Sequence, residues 1–224
     1  MKTKESNLIS VLITYKPKKL QEITEFLGGI EISFDGYLRL FIGAIFPEVR
    51  SFAFENLLRC EFSSLTKVLD RKLEPDEEIL ILKRMRDLAS NFEEYYFVYS
   101  KCKNLDYRNK IIEAMTGLAA TFEEWERVYD LLQVTQKKEQ VFQKLVELAS
   151  TPIQLFQILK RIESNDEESK NIILQKMRDC ESSIDWVQIY NQSTGECEEI
   201  AFQKTKKFLS EMIEGFAKTS HIQV

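Results

Sequence analysis

The 224 residues predict an all-α fold of about seven stacked helical hairpins, repeating about every 30 residues. Three observations carry that expectation. A capping box opens an apolar stripe at Thr121, the same pattern recurs along the chain at a nearly constant spacing, and only 7 Gly and 4 Pro are present. So little Gly and Pro leaves few of the breaks that sheets and long loops require.

The clearest copy runs from Thr121 to Leu132. Thr121 and Glu124 stand three apart, so the hydroxyl can take a free amide of the first turn while the carboxylate returns to the cap. Phe122, Trp125, Val128, Tyr129 and Leu132 follow at steps of three and four, which places them on one stripe of a helix. Asn91 to Tyr95 with Val98 and Tyr99 repeats the pattern 30 residues earlier, and Thr151 to Leu155 with Ile158 and Leu159 repeats it 30 residues later. Fainter copies lie at Ser33 to Tyr37, Phe62 to Leu65 and Ser182 to Trp186, and a degenerate one at Leu8, Val11 and Leu12. Taking Leu8, Tyr37, Leu65, Tyr95, Trp125, Leu155 and Trp186 as equivalent, the spacings are 29, 28, 30, 30, 30 and 31. Stacked units share one core, so residues 1–216 read as a single domain and 217–224 as a polar tail. Trp125 is expected in the core of the central unit, and Trp186 nearer a frayed end, where its truncation should cost less.

In chain order, Pro17 to Leu27 reads as the second helix of the first unit, with Leu20, Ile23, Phe26 and Leu27 on one stripe and Gly28 and Gly29 as its left-handed stop. Ser33 opens the next hairpin, and Pro47 suits the first turn of its second helix. That unit, with Phe52, Phe54, Leu57 and Leu58, is so apolar that it is either deeply buried or a docking surface. Beyond it, breaks are expected at Lys72 to Pro75, Lys103 to Asp106, Val134 to Gln136, Glu163 to Asp166 and Ser193 to Glu196. The second helices carry triplets spaced by three: Leu82, Met85, Leu88; Ile112, Met115, Leu118; Phe142, Leu145, Leu148; and Leu174, Met177, Cys180.

Formal charge is −5, and the deficit is local: residues 1–64 balance at 8 basic and 8 acidic, whereas 65–224 hold 23 against 28. A phosphate-tracking surface needs the opposite sign. The acidic pairs Glu93 and Glu94, and Glu123 and Glu124, fall in first helical turns, where they complement the helix dipole. Cys60, Cys102, Cys180 and Cys197 lack metal-ligand spacing, and the only histidine is His221, so no base stands beside a nucleophile. No glycine cluster has phosphate-loop spacing, and no apolar run approaches a membrane span. The expectations are therefore a non-enzymatic protein with no cofactor and no metal, intracellular and cytoplasmic, whose partner is another protein rather than nucleic acid or membrane.

In plan the repeat resembles an α-solenoid, similar to HEAT-type and tetratricopeptide-type repeats over nearly the whole chain. The likeness is architectural: the tetratricopeptide motif has a period of ~34 residues, and its Trp and Gly-Tyr positions do not line up here. What the resemblance implies is an extended surface for protein ligands, a scaffold or adaptor. The competing expectations are a helical-repeat nucleic-acid protein of the DNA-glycosylase kind, or a structural subunit of a larger complex.

Aligning the second helices on their triplets puts Arg84, Ala114, Lys144 and Lys176 in one row, and Asp87, Gly117, Glu147 and Asp179 three residues on. Three units thus carry a base and an acid at i and i+3, a helix-stabilising spacing. The fourth has two small residues beside Glu113. Glycine inside a helix is costly unless something approaches closely, so Ala114 and Gly117, flanked by Arg84 and Lys144, are expected to form a notch for a partner's helix or loop.

Overall fold

The computed structural model describes residues 2–220 except 19, 28, 134, 163–165 and 182. The described residues form fourteen helices and no strand, so the protein is all-α. Their contacts divide them into two compact units, 1–115 and 116–224, with the boundary inside one helix.

The first unit holds α1 (Lys2–Thr14), α2 (Leu20–Leu27), α3 (Phe34–Gly43), α4 (Pro47–Leu57), α5 (Phe62–Leu69), α6 (Pro75–Leu88), α7 (Phe92–Lys101) and most of α8 (Leu105–Leu118). Here α3 packs on α4, α5 on α6, and α6 also on α7. Ser33 caps α3 by accepting the amide of Gly36, and its own amide donates to Glu5 of α1 at 2.8 Å. Those bonds draw α1 onto α3 so closely that a Cβ on Gly36 would lie 2.6 Å from Glu5 Oε1 and 3.0 Å from Ile9 Cδ1. The close approach anticipated at a glycine occurs at this one. Much of the apolar unit is buried, with Phe41, Val49, Phe52, Ala53, Phe54 and Leu57 in the core, while Leu58 is half-buried and Ile42 and Ile45 are exposed. α2 begins at Leu20, three residues after Pro17, and Gly29 takes φ +80 just beyond its end. Ile23 and Leu27 are buried, but Phe26 turns outward and stacks on Tyr15. In α1, Ile9 and Leu12 are buried and Val11 is exposed.

The second unit holds α9 (Phe122–Leu131), α10 (Thr135–Leu148), α11 (Pro152–Leu159), α12 (Glu167–Asp179), α13 (Asp185–Gln192) and α14 (Glu196–Ser220). α9 pairs with α10, α11 with α12 and α13 with α14, while α11 also packs on α13 and α12 on α14. The expected capping boxes form at Thr121 with Glu124, and at Thr151 with Gln154. Arg161, just past α11, reaches back to α9 and holds Glu126 at 3.0 Å and Asp130 at 3.1 Å. α14 continues through Ser220, into the stretch read as tail; His221 to Val224 lie outside the described residues, as do Gly28, Val134 and residues 163–165.

Two core expectations are corrected. Trp186 is wholly buried, whereas Trp125 is only half-buried, the reverse of the expected order. In the second helices the third member of each triplet leaves the core: Leu118 and Leu148 are exposed, and Leu88 and Cys180 are half-buried. The position one before each triplet replaces it, with Ile81, Ile111, Val141 and Ile173 fully or nearly fully buried. The reason is helical geometry. Three residues fall about 60° short of a full turn, so two such steps carry a side chain about 120° away, whereas i, i+1 and i+4 stay within about 100°.

Candidate functional site

The row of paired charges does not form as the spacing predicts. Lys144 and Glu147 do pair, at 2.6 Å on the exposed face of α10. Asp87 instead pairs with its neighbour Arg86, and Asp179 accepts from the Gln175 amide at 3.4 Å. Arg84 and Lys176 turn away from their expected partners: Arg84 Nε donates to the Leu58 carbonyl at 3.0 Å, and Lys176 Nζ to the Val146 carbonyl at 2.7 Å. Both carbonyls belong to the last turn of the preceding second helix or the residue just past it, where unsatisfied oxygens gather and positive charge is favoured. Lys204 of α14 does the same for α12, donating to the carbonyls of Arg178 (2.6 Å) and Cys180. These cations close helix ends.

The notch is also altered. Gly117 lies one residue before the end of α8 rather than in a helix interior, and a Cβ there would meet nothing within 4 Å. A glycine at a helix end carries less penalty, so it requires no compensating neighbour. Ala114 is half-buried and Glu113 exposed on the same helix. Arg84 belongs to the first unit and Lys144 to the second.

The sequence did not mark the cavity that lies elsewhere in the first unit. It measures about 440 Å3 and opens where the start of α6 meets the turn between α7 and α8. Its apolar lining comes from Ile79, Leu82, Cys102 and Tyr107, and its polar lining from Glu78, Lys83, Lys103 and Asn104. Each wall has a local cause. Pro75 sits at the first position of α6, with a capping box between Glu74 and Glu77, which fixes where Glu78, Ile79 and Leu82 emerge. Asn104 starts α8 by accepting the Tyr107 amide at 2.9 Å, which turns the Tyr107 ring inward; the Arg86 guanidinium lies 5.0 Å from that ring. Burial pushes the Tyr107 phenol above its ordinary pKa, opposed by Arg86, and its hydroxyl has no hydrogen-bond partner. Glu78 and Lys103 approach to 3.6 Å across the opening. Ile79 is 50% exposed, a branched apolar side chain left open to solvent beside Leu82.

A volume of this size suits a small ligand or a few side chains of a peptide. Its apolar lining would take an apolar group, and Lys83 would favour an anion beside it, Lys103 being paired with Glu78. A second cavity of about 410 Å3 occupies the corresponding place in the second unit, between α12 and the turn from α13 to α14, with Leu174 and Cys197 in its lining and Lys170 beside them. The four cysteines are free thiols, and burial raises the pKa of Cys60, Cys180 and Cys197. Among the described residues, no group of three His, Cys, Asp or Glu side chains is placed to hold a metal ion, and no helix is long and apolar enough to cross a membrane. Comparison with protein-family models, with curated proteins and with solved structures returned no match.

Proposed function

We propose that the chain is a protein-binding scaffold built as an α-solenoid of seven hairpins, and that its first docking point is the cavity lined by Ile79, Leu82 and Tyr107. The cavity carries the reading: an open apolar socket beside Lys83 fits an apolar anchor side chain with an acidic neighbour. Its counterpart beside Leu174 supports a second socket of the same kind within the second unit. The repeat is supported by first helices that begin at Phe62, Phe92, Phe122 and Pro152, and by hairpins that pack on their successors within each unit. The solenoid is tested by small-angle scattering, where a radius of gyration near the compact expectation of roughly 17 Å would count against it.

For the docking point, a displayed peptide library is selected on the wild-type chain, and the enriched peptides are measured again on Ile79→Glu. The expected result is enrichment of Leu, Ile or Phe beside Asp or Glu, with affinity lost at least tenfold on the variant. Enriched peptides that bind both chains equally would refute the socket. Nucleic acid is the weaker reading because of the acidic balance, and tight binding of duplex DNA at physiological salt would reverse that order.

A further inference from the structure

The socket of the first unit is larger than one anchor side chain needs. A cavity of about 150 Å3 lined by Leu, Ile and Phe is room for a benzene molecule, so a single ring takes about a third of the 440 Å3 between α6 and the turn from α7 to α8. Its polar inventory is short. Glu78 and Lys103 face each other at 3.6 Å, Asn104 commits its side-chain oxygen to the Tyr107 amide, and the Tyr107 hydroxyl is buried. What remains is the Lys83 ammonium and the Asn104 side-chain nitrogen, both donors. Lys83 has no ion pair among the described residues, since Asp87, one turn along, is held by Arg86. At about 100° per residue, Glu78, Leu82, Ile79 and Lys83 fall at about 0°, 40°, 100° and 140° around α6. The unpaired cation therefore stands at one edge of the apolar stripe and the neutralised pair at the other.

We infer that the socket binds a small amphiphilic monoanion, an alkanoate with a chain of about ten carbons, and that this ligand competes with the protein partner for the site. The inference rests on the reading of this cavity as a docking point and adds a regulator to it. The chain lies along Ile79, Leu82, Cys102 and Tyr107, and the carboxylate meets Lys83 at the rim. Charge and polarity select this class. One unpaired cation matches one negative charge, whereas a phosphate dianion would bring a second charge to a rim that already holds Glu78. A ligand rich in hydroxyls would press them on an apolar wall that offers no acceptors. An alkanoate makes a single charged contact and otherwise buries hydrocarbon, which tightens binding about fourfold for each methylene fully buried. With the chain in place, a partner's apolar anchor has no space and its acidic neighbour no counter-charge.

Titration calorimetry of the full chain with decanoate, 1-decanol and butanoate, each kept below the concentration at which it aggregates, tests the ligand. Decanoate is expected to bind at one site, at least tenfold more tightly than butanoate, and to lose at least tenfold on Ile79→Glu. Lys83→Met should weaken decanoate about threefold and leave 1-decanol unchanged, Lys83→Arg should keep the wild-type affinity, and circular dichroism should give every variant the helix content of the parent. Decanoate should also displace the peptides selected on the wild-type chain. Decanoate that does not bind, or that binds Ile79→Glu equally well, overturns the proposal. If the selected peptides still depend on Ile79 in that case, the docking point stands and only the ligand falls. Decanoate bound in the socket without displacing those peptides overturns the competition.

Discussion

Trp125 and Trp186 hold the same place in two first helices, yet α9 and α13 are held by different means. α9 begins with a capping box at Thr121 and Glu124, buries Phe122 in its first turn, and leaves Trp125 half-buried above it. Ser182, which matches Thr121, lies outside the described residues, and among the described ones the start of α13 differs. Its cap residue is Ile184, already helical and without a side-chain bond, and the position matching Phe122 is Ser183, whose hydroxyl is buried without a partner. The indole of Trp186 is wholly buried, and its N–H donates to the Glu181 carbonyl at 2.8 Å. One helix is positioned by its terminus and the other by its core. A repeat can therefore hold its backbone plan while moving the anchoring interaction from hydrogen bonds to packing.

Substitutions can break that contrast at several strengths. Trp186→Ala should cost the most, about 3 to 5 kcal/mol in urea unfolding, because it empties a sealed site and deletes an indole hydrogen bond. Trp125→Ala should cost less, about 1 to 2 kcal/mol, since part of its ring already meets water. A Trp125 loss equal to that of Trp186 would erase the distinction. Thr121→Ala should cost about 1 kcal/mol by removing one side of the cap, whereas Ile184→Ala has no cap bond to lose.

Acid provides a gentler probe. The amides of Ala120 and Thr121 hold the Glu124 carboxyl below its ordinary value of 4.5. A depressed folded pKa means that the stabilisation is present above the unfolded value and is lost as pH falls through the folded one. Protection of the Ala120 and Thr121 amides, taken as exchange relative to the unprotected rate at each pH, should therefore fall as pH drops from 5 toward 3, and Glu124→Gln should abolish that change in protection. Smallest of all, Ser183→Ala should leave stability unchanged or slightly raised, because it removes a buried hydroxyl that has no partner.

What could be read from the sequence was local. Thr121 with Glu124, Thr151 with Gln154, Asn91, Ser33 and Pro47 all lie at the helix starts they predicted, because a cap is made within four residues. What was missed depends on the neighbour. Tracking apolar residues by threes carried the second-helix stripe off the core at Leu118 and Leu148 and passed over Ile81 and Ile111, which the i, i+1, i+4 rule would have found. Arg84 and Lys176 were matched to acids on their own helices, while their true acceptors lie 26 and 30 residues back. The repeat spacing was the available clue, since it places those carbonyls one hairpin earlier. The socket at Ile79 left no trace in the pattern, for it is formed by the meeting of two helix starts.

The bonds from Arg84, Lys176 and Lys204 impose an order in time as well as in space. Synthesis proceeds from the N-terminus at about 5 to 20 residues per second, and each cation follows its acceptor by 24 to 30 residues. A newly made helix therefore waits roughly 1 to 6 s, at those rates, for the residue that closes its end. Helices themselves form in about a microsecond, so throughout that wait the terminus is folded but unsealed. A nascent chain halted just short of Lys176 would present the bare end of α10, a mark of incompleteness that disappears once the next hairpin arrives.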